Sequence, residues 1–214
     1  MTNVRKIVLL LSGGLDSPIA AYLMIKRGFQ PVFISFLTSD DLGHSMRKKV
    51  SKIIQQLKNV SNLDFKTYFI NHDPNLTVFQ KECERKLTCI LCKRLMLRIA
   101  SEIAKIEKTN LIVTGDILGE QASQTLDNLI SYNDIMEDFI ILRPLIGWDK
   151  MEVIDLNKKL GLFEISSQKS ASCQYNPKYP ETHAKQKNIK VSEINIDIQN
   201  LVQISIKSAE ILEF

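Results

Sequence analysis

Long apolar runs are missing from this 214-residue chain. The stretch that follows MTNVRK is far too short for a secretory h-region or a membrane span. The expected compartment is therefore the cytoplasm, with no membrane association. In that compartment the four cysteines do not form a disulfide framework, and metal binding, redox chemistry and core packing stay open for them. Glycine (8) and proline (6) are scarce, and no repeat, low-complexity tract or linker interrupts the chain. With 44% hydrophobic and 24% charged residues, this is the composition of one large domain or two small ones. Histidine is rarer still: His44, His72 and His183 form no cluster in sequence, so a zinc site would want a fourth ligand. A net charge of +4 permits a nucleic-acid partner without demanding one.

What is present is alternation. Apolar, β-rich runs at 4–11, 31–37, 65–71, 110–114 and 139–142 are separated by helical patterns at 18–27, about 44–58, about 76–107, 119–131 and 150–160. Continuously apolar strands divided by helices predict a parallel sheet covered on both faces, hence one doubly wound α/β domain of about five strands. Ser17–Pro18 reads as an N-cap with proline at the first helical position, and Gly28 as a C-terminal stop. Asp149 with Glu152 forms a capping box, Gly161 ends that helix, and 197–212 reads as one last amphipathic helix.

The loop between the first strand and the first helix is SGGLDS, residues 12–17. A helix N-terminus offers free N–H groups and a positive dipole end, and Gly13 and Gly14 let backbone approach an anion without a Cβ in the way. Ser12 and Ser17 add hydroxyls. The loop is neither a Walker A motif, because no Gly-Lys-Ser/Thr follows, nor a dinucleotide fingerprint, because the third glycine is missing. Asp16 beside a phosphate makes sense if a cation such as Mg²⁺ mediates. The bland alternative is a tight turn capped by Asp and Ser.

Three further groups stand out. Lys150 opens a helix, where its charge opposes the dipole, and a cation placed against stability points modestly to function. It reads otherwise as a solvated lysine. Arg143, one residue past a strand end, contacts either a nucleotide or substrate, or a structural partner near Pro144. Cys89 and Cys92 are three apart on a predicted helix and share a face, whereas Cys83 lies about 180° round that helix from Cys92. Lys81, Arg85, Lys86, Lys93, Arg94 and Arg98 surround this CxxC, suiting either a phosphate backbone or a solvated helix face.

SGGLDS after an aliphatic strand resembles the PP-loop of ATP pyrophosphatases. CKRLMLRIASEIAK (92–105), LIVTGDILGEQASQTLDNL (111–129), ILRPLIGWDK (141–150) and Cys173 followed by PETHA (180–184) are similar, in order and spacing, to the catalytic domain of the tRNA 4-thiouridine synthetase (ThiI-type) family. The resemblance implies a PP-loop domain over 1–190 with a helical tail, 191–214, packed on it. It implies ATP-dependent adenylation of a carbonyl, with uridine in tRNA as the expected substrate. Pyrophosphate is released, and sulfur then displaces AMP.

In that reading Ser12, Gly13, Gly14 and Ser17 cradle pyrophosphate, Asp16 holds Mg²⁺ and Lys150 serves the chemistry. Phe36, Gly115, Gln124 and Arg143 belong to the ATP site, with Asp116 where the family usually has glutamate. The family's aromatic–histidine pair is missing from SFLTSDD. Cys173 aligns with the late catalytic cysteine. With Cys89 and Cys92 it matches members whose three thiolates hold an iron–sulfur cluster; a persulfide or disulfide on Cys173 is the other family pattern. Arg94 and Arg98 are the expected RNA contacts. The family's THUMP and rhodanese modules are absent from these residues, so tRNA recruitment is expected through a separate THUMP-like protein or oligomerisation, with the sulfur donor open. The alternatives are a PP-loop enzyme thiolating or ligating a small metabolite, and a non-catalytic nucleotide or redox sensor.

Overall fold

A computed structural model of the chain describes residues 5–38, 40–168 and 173–214, without the side chains of 40–44. His44, one of the three histidines, therefore has a side chain outside the described set. All five expected strands form: β1 Arg5–Leu10, β2 Phe29–Leu37, β3 Lys66–Asn71, β4 Leu111–Val113 and β5 Ile140–Leu142. They pair in parallel, and a sixth, β6 Glu210–Glu213, adds antiparallel to β3, giving the order β5-β4-β1-β2-β3-β6.

The tail is thus not one helix over 197–212. It is a helix, Ile198–Lys207, followed by an edge strand. The strand's pairing partner is distant in sequence, so local periodicity carries no sign of it.

Successive side chains point to opposite faces of a strand, and both faces of this sheet are buried. Val8, Leu10, Val32, Ile34, Tyr68 and Ile70 join one core with helices α3 Asp73–Glu82, α4 Thr88–Ile106 and α7 Ile198–Lys207. Ile7, Leu9, Phe33, Phe69 and Val113 join the other with α1 Asp16–Lys26, α2 Asp40–Ser61 and α6 Lys150–Lys159. Each fully buried Leu or Ile contributes about 1.5–3 kcal/mol, and these two layers fix the sheet from both sides.

Since β1 lies between β2 and β4, the crossovers part at the carboxyl ends of β1 and β4. Doubly wound sheets place ligands at such a switch point.

The expected 76–107 helix is broken at Cys83, whose backbone is extended (φ −119°, ψ 162°), so Cys83 ends α3 and sits on a different element from Cys92. The expected 119–131 helix reduces to a 3₁₀ turn at Ala122–Gln124 and the short α5 Leu126–Ile130, capped by Thr125. Gly28 and Gly161 take positive φ at helix ends, and the Asp149–Glu152 capping box forms as expected.

Candidate active site

The Ser12 N–H donates to Ser17 Oγ at 2.8 Å, the two hydroxyls stand 3.0 Å apart, and the Gly14 N–H reaches Ser12 Oγ at 3.3 Å. Ser17 is therefore not the N-cap. α1 begins at Asp16, with Leu15 in the cap position and no side-chain cap, while Ser17 inside the first turn ties the loop shut. That leaves the first-turn N–H groups of α1 without a side-chain acceptor, the arrangement that suits an anionic ligand.

Close packing requires one glycine here. A Cβ on Gly115 would lie 2.8 Å from both the N and Cα of Ser17, so the segment after β4 presses directly on the loop backbone. At Gly13 a Cβ would meet Met46 Sδ at 2.7 Å, whereas at Gly14 it would make only an ordinary 3.4 Å contact with Ser12 Oγ.

A cavity of about 400 Å³ opens at the carboxyl ends of β1, β2 and β4. Ser12, Asp16 and Ser17 line it from the loop, Phe36 from β2, and Gly115, Asp116 and Gln124 from the segment after β4. Cys89 and Cys92 line it from α4, and Cys173 joins them from far along the chain. Nine of the sequence-derived site residues thus share one cavity with Asp116.

Asp116 is 1% exposed. It accepts from Thr114 Oγ1 and Lys93 Nζ, each at 2.7 Å, and from Gln124 Nε2 at 3.3 Å, with Arg143 Nε at 3.4 Å. Burial alone would raise its pKa, but Lys93, Thr114 and Arg143 pull it below the ordinary value. Arg143 does not line the cavity itself; it acts on the wall through Asp116. Gln124 Oε1 is buried without a partner, an acceptor left open at the cavity.

Lys150 Nζ lies 2.7 Å from Asp16 Oδ1 and 3.0 Å from Glu120 Oε1. Burial lowers its pKa, but the two carboxylates overcome that and raise it. Glu120 lies in the family-like segment 111–129 but is given no role by the resemblance, and only the fold brings it to Lys150.

Burial pushes the Cys92 thiol up to about 12, helped by Cys173 and Cys89, and raises Cys89 with help from Cys173. Among the described residues, no three His, Cys, Asp or Glu side chains converge tightly enough for a single metal ion. Cys83 stands apart, its sulfur 3.3 Å from the Ser192 carbonyl.

His72, set aside in the sequence for want of neighbours, is 1% exposed. Its Nε2 lies 3.4 Å from Cys92 Sγ, and its ring meets Phe36 edge-on at 5.0 Å. Phe36 on β2 and His72, the residue after β3, thus form an aromatic–histidine contact.

The expected RNA contacts need correction. Arg94 is 1% exposed and forks onto Asp134 (2.6 Å), Glu193 (3.1 Å) and the Ser131 carbonyl, so it cannot reach a phosphate backbone. Arg98 is held bidentate by Glu193 at 2.7 and 2.8 Å. Lys86 and Lys93 are also paired with acids, which removes much of the basic cluster around the CxxC.

A parallel sheet with a glycine-serine loop after β1 and a ligand cavity at its switch point defines a PP-loop-type α/β protein. Residues 3–198 match the family model described as thiamine biosynthesis protein (ThiI), and the chain belongs to that family. A probable tRNA sulfurtransferase of Methanosarcina mazei is 42% identical over 97% of this chain and 51% of its own length. Another, of Methanocaldococcus jannaschii, is 40% identical over 86% of this chain and 48% of its own. The chain spans about half the length of these curated relatives. A crystal structure of a 4-thiouridine synthetase–RNA complex with bound ATP superposes with a TM-score of 0.91 at 29% identity, covering 98% of this chain and 55% of that one. NMN synthetase from Francisella tularensis, at TM-score 0.59 and 18% identity over 94% of this chain and 77% of its own, shares the fold. Among the described residues no helix is long and apolar enough to cross a membrane.

Proposed function

We propose that this chain is the adenylating and sulfur-transferring unit of an ATP-dependent tRNA sulfurtransferase that converts a uridine to 4-thiouridine. The observation that carries this reading is that one cavity holds the anion-binding loop and three thiols, so activation and sulfur delivery meet without moving the base. The names of the family's relatives and of the RNA- and ATP-bound structure support the same reaction.

In the first half-reaction the uracil O4 attacks the α-phosphorus, the α–β bridging bond breaks and pyrophosphate leaves. The free N–H groups at the start of α1, with the Ser12 and Ser17 hydroxyls, bind pyrophosphate oxygens, and Lys150 turns from its carboxylates to the charge that builds there. Phe36, Gly115 and Gln124 hold the nucleotide, Gln124 through its open Oε1. In the second half-reaction a sulfur nucleophile attacks C4, the C4–O4 bond breaks, and AMP departs with the former uracil oxygen.

Asp16 and Glu120, gathered on one cation, fit the oxygen ligands of Mg²⁺, which would neutralise the phosphates. Three cavity-facing thiols fit the cysteine ligand set of an iron–sulfur cluster, held by Cys89, Cys92 and Cys173, which when bound would supply nucleophilic sulfur. tRNA reaches the site through a THUMP-like module or through oligomerisation, in the cytoplasm.

The test combines the purified protein with ATP, Mg²⁺, sulfide and unmodified tRNA, with and without a THUMP-containing protein. Pyrophosphate release and 4-thiouridine in nuclease digests are followed. tRNA-dependent pyrophosphate formation with one 4-thiouridine per AMP supports the reading. If no arm shows pyrophosphate release that depends on tRNA, the proposal fails.

A further inference from the structure

His72 does not line the cavity but lies buried behind its wall, touching two residues that do, Phe36 and Cys92, and nothing in the reaction above uses it. It follows β3 directly, packs edge-on against Phe36 at 5.0 Å and is 1% exposed, so its ring is fixed in the core. One ring nitrogen, Nε2, lies 3.4 Å from Cys92 Sγ. The other, Nδ1, lies 3.2 Å from Asn75 Nδ2, which also donates to Ser205 Oγ at 2.9 Å. Asn75 and Ser205 are themselves 3% and 2% exposed, and Ser205 comes from α7, in the C-terminal tail.

An amide nitrogen only donates, so Nδ1 must accept, and in a neutral imidazole the proton then sits on Nε2. A ring whose Nδ1 accepts a hydrogen bond is not an imidazolium, so the geometry itself assigns the neutral form. The Nε2–H accordingly points at the Cys92 sulfur, whose other side-chain neighbour within hydrogen-bonding range is Met96 Sδ at 3.7 Å.

We propose that His72 is a positioning residue for the sulfur site: its Nε2–H donates to Cys92 Sγ, and the Ser205–Asn75 pair fixes the tautomer that makes this possible. The proposal deepens the thiolation reading, since it assigns a role at the cysteine wall that reading invokes. The hydrogen bond orients the sulfur lone pairs and favours electron-rich sulfur at Cys92, as hydrogen-bond donors to ligand sulfurs do generally. It also explains why a polar triad lies buried in an otherwise apolar layer. Asn75 donates to both Ser205 and His72, and His72 in turn donates to the thiol.

Both arms of the test use cluster-free, reduced protein without ATP or tRNA, so a failure of the thiolation reading leaves them intact. The first records long-range ¹H–¹⁵N correlations of His72 in ¹⁵N-labelled wild type. The expected spectrum shows a protonated Nε2 and a bare Nδ1. A protonated Nδ1 would mean that Asn75 presents its oxygen and that the thiol donates instead, which overturns the proposal. The second arm follows alkylation of Cys92 by iodoacetamide by peptide mass spectrometry in wild type, His72→Phe and His72→Gln.

His72→Phe keeps a ring against Phe36 but has no donor, and alkylation is expected to slow about tenfold, the scale of one hydrogen bond to a charged group. His72→Gln keeps an amide N–H and is expected to recover most of the rate. Equal rates in wild type and His72→Phe would sink the proposal, as would a loss in His72→Phe that His72→Gln does not restore. Should His72→Phe fail to fold, Asn75→Leu serves in its place, with a mixed tautomer at His72 expected and an unchanged one overturning the role of Asn75.

Discussion

Lys150 and Arg94 are each set between two carboxylates, and the two clusters do different things. Beside the cavity, which of these three only Asp16 lines, Lys150 lies between Asp16 and Glu120, with side chains 31%, 17% and 35% exposed. On the other face of the sheet, Arg94 lies between Asp134 and Glu193, and its own side chain is 1% exposed. The first cation is a flexible ammonium that can leave its partners for a ligand at small cost, because half-exposed pairs are worth little. The second is a planar fork sealed into the core, where removing a partner strands a charge. Burial, and not the composition of the cluster, separates machinery from architecture here. α4 carries both kinds of residue, with Cys89, Cys92 and Lys93 facing the cavity and Arg94 and Arg98 facing Glu193.

Breaking the buried cluster gives the largest expected effect. Arg94→Met leaves Asp134 and Glu193 without their shared cation and is expected to destabilise the fold by about 3 kcal/mol, at the lower end for a buried pair because Arg98 still holds Glu193. Urea unfolding measures this. tRNA affinity per folded molecule should stay unchanged. A fall in RNA binding with normal stability would restore Arg94 as an RNA contact and undo the comparison.

Lys150→Met is the matching change at the open cluster. It is expected to slow adenylation about 10²–10³-fold, the usual loss when one group that stabilises transition-state charge is removed. The urea midpoint should hardly move. Pyrophosphate release in single turnovers reads the first effect, and a large loss of stability with adenylation intact would reverse the roles of the two clusters.

The contrast also marks what was legible in the sequence. The strands were, because an apolar run bounded by Gly, Asp or Asn needs no partner to be read. The loop at 12–17 was legible too, since the Ser12–Ser17 and Gly14–Ser12 hydrogen bonds that shape it fall within six residues. The segment 119–131 misled because its polar and apolar spacing suits a helix, while Gly119 at φ 76° and the extended Thr125 cut it into turns. That Cys173 shares a cavity with Cys89 and Cys92 could be expected from family resemblance, not from spacing. Glu120, the Arg94 partners and the His72–Cys92 contact were not legible. Each joins residues between 20 and 99 positions apart through side chains whose types are common on any surface.

A third cluster inverts the arrangement and sharpens the rule. At the opposite end of the sheet, Glu107 closes α4 and takes Lys66 at 2.6 Å, the Tyr68 hydroxyl at 2.7 Å and Lys6 at 2.9 Å. One carboxylate, 4% exposed, is held here by two cations 31% and 49% exposed. Burial would raise its pKa, but the donors from Lys66, Tyr68 and Lys6 bring it down from 4.5 to about 2. A carboxyl whose folded pKa lies below its unfolded value stabilises the fold fully above the unfolded value, and that stability is lost as pH falls through the folded one. The contribution of Glu107 is therefore complete above about pH 4.5 and disappears on the way to about pH 2. Glu107→Gln is expected to cost about 1 kcal/mol at neutral pH, since both cations remain partly hydrated. It should flatten the acid limb of stability between those two values while leaving ATP binding untouched. Urea midpoints for both proteins at a series of pH values from 2 to 7 decide this. An acid limb of the same slope in both would mean that the two exposed lysines screen the pair completely, and that a buried carboxylate needs buried cations before it shapes the fold.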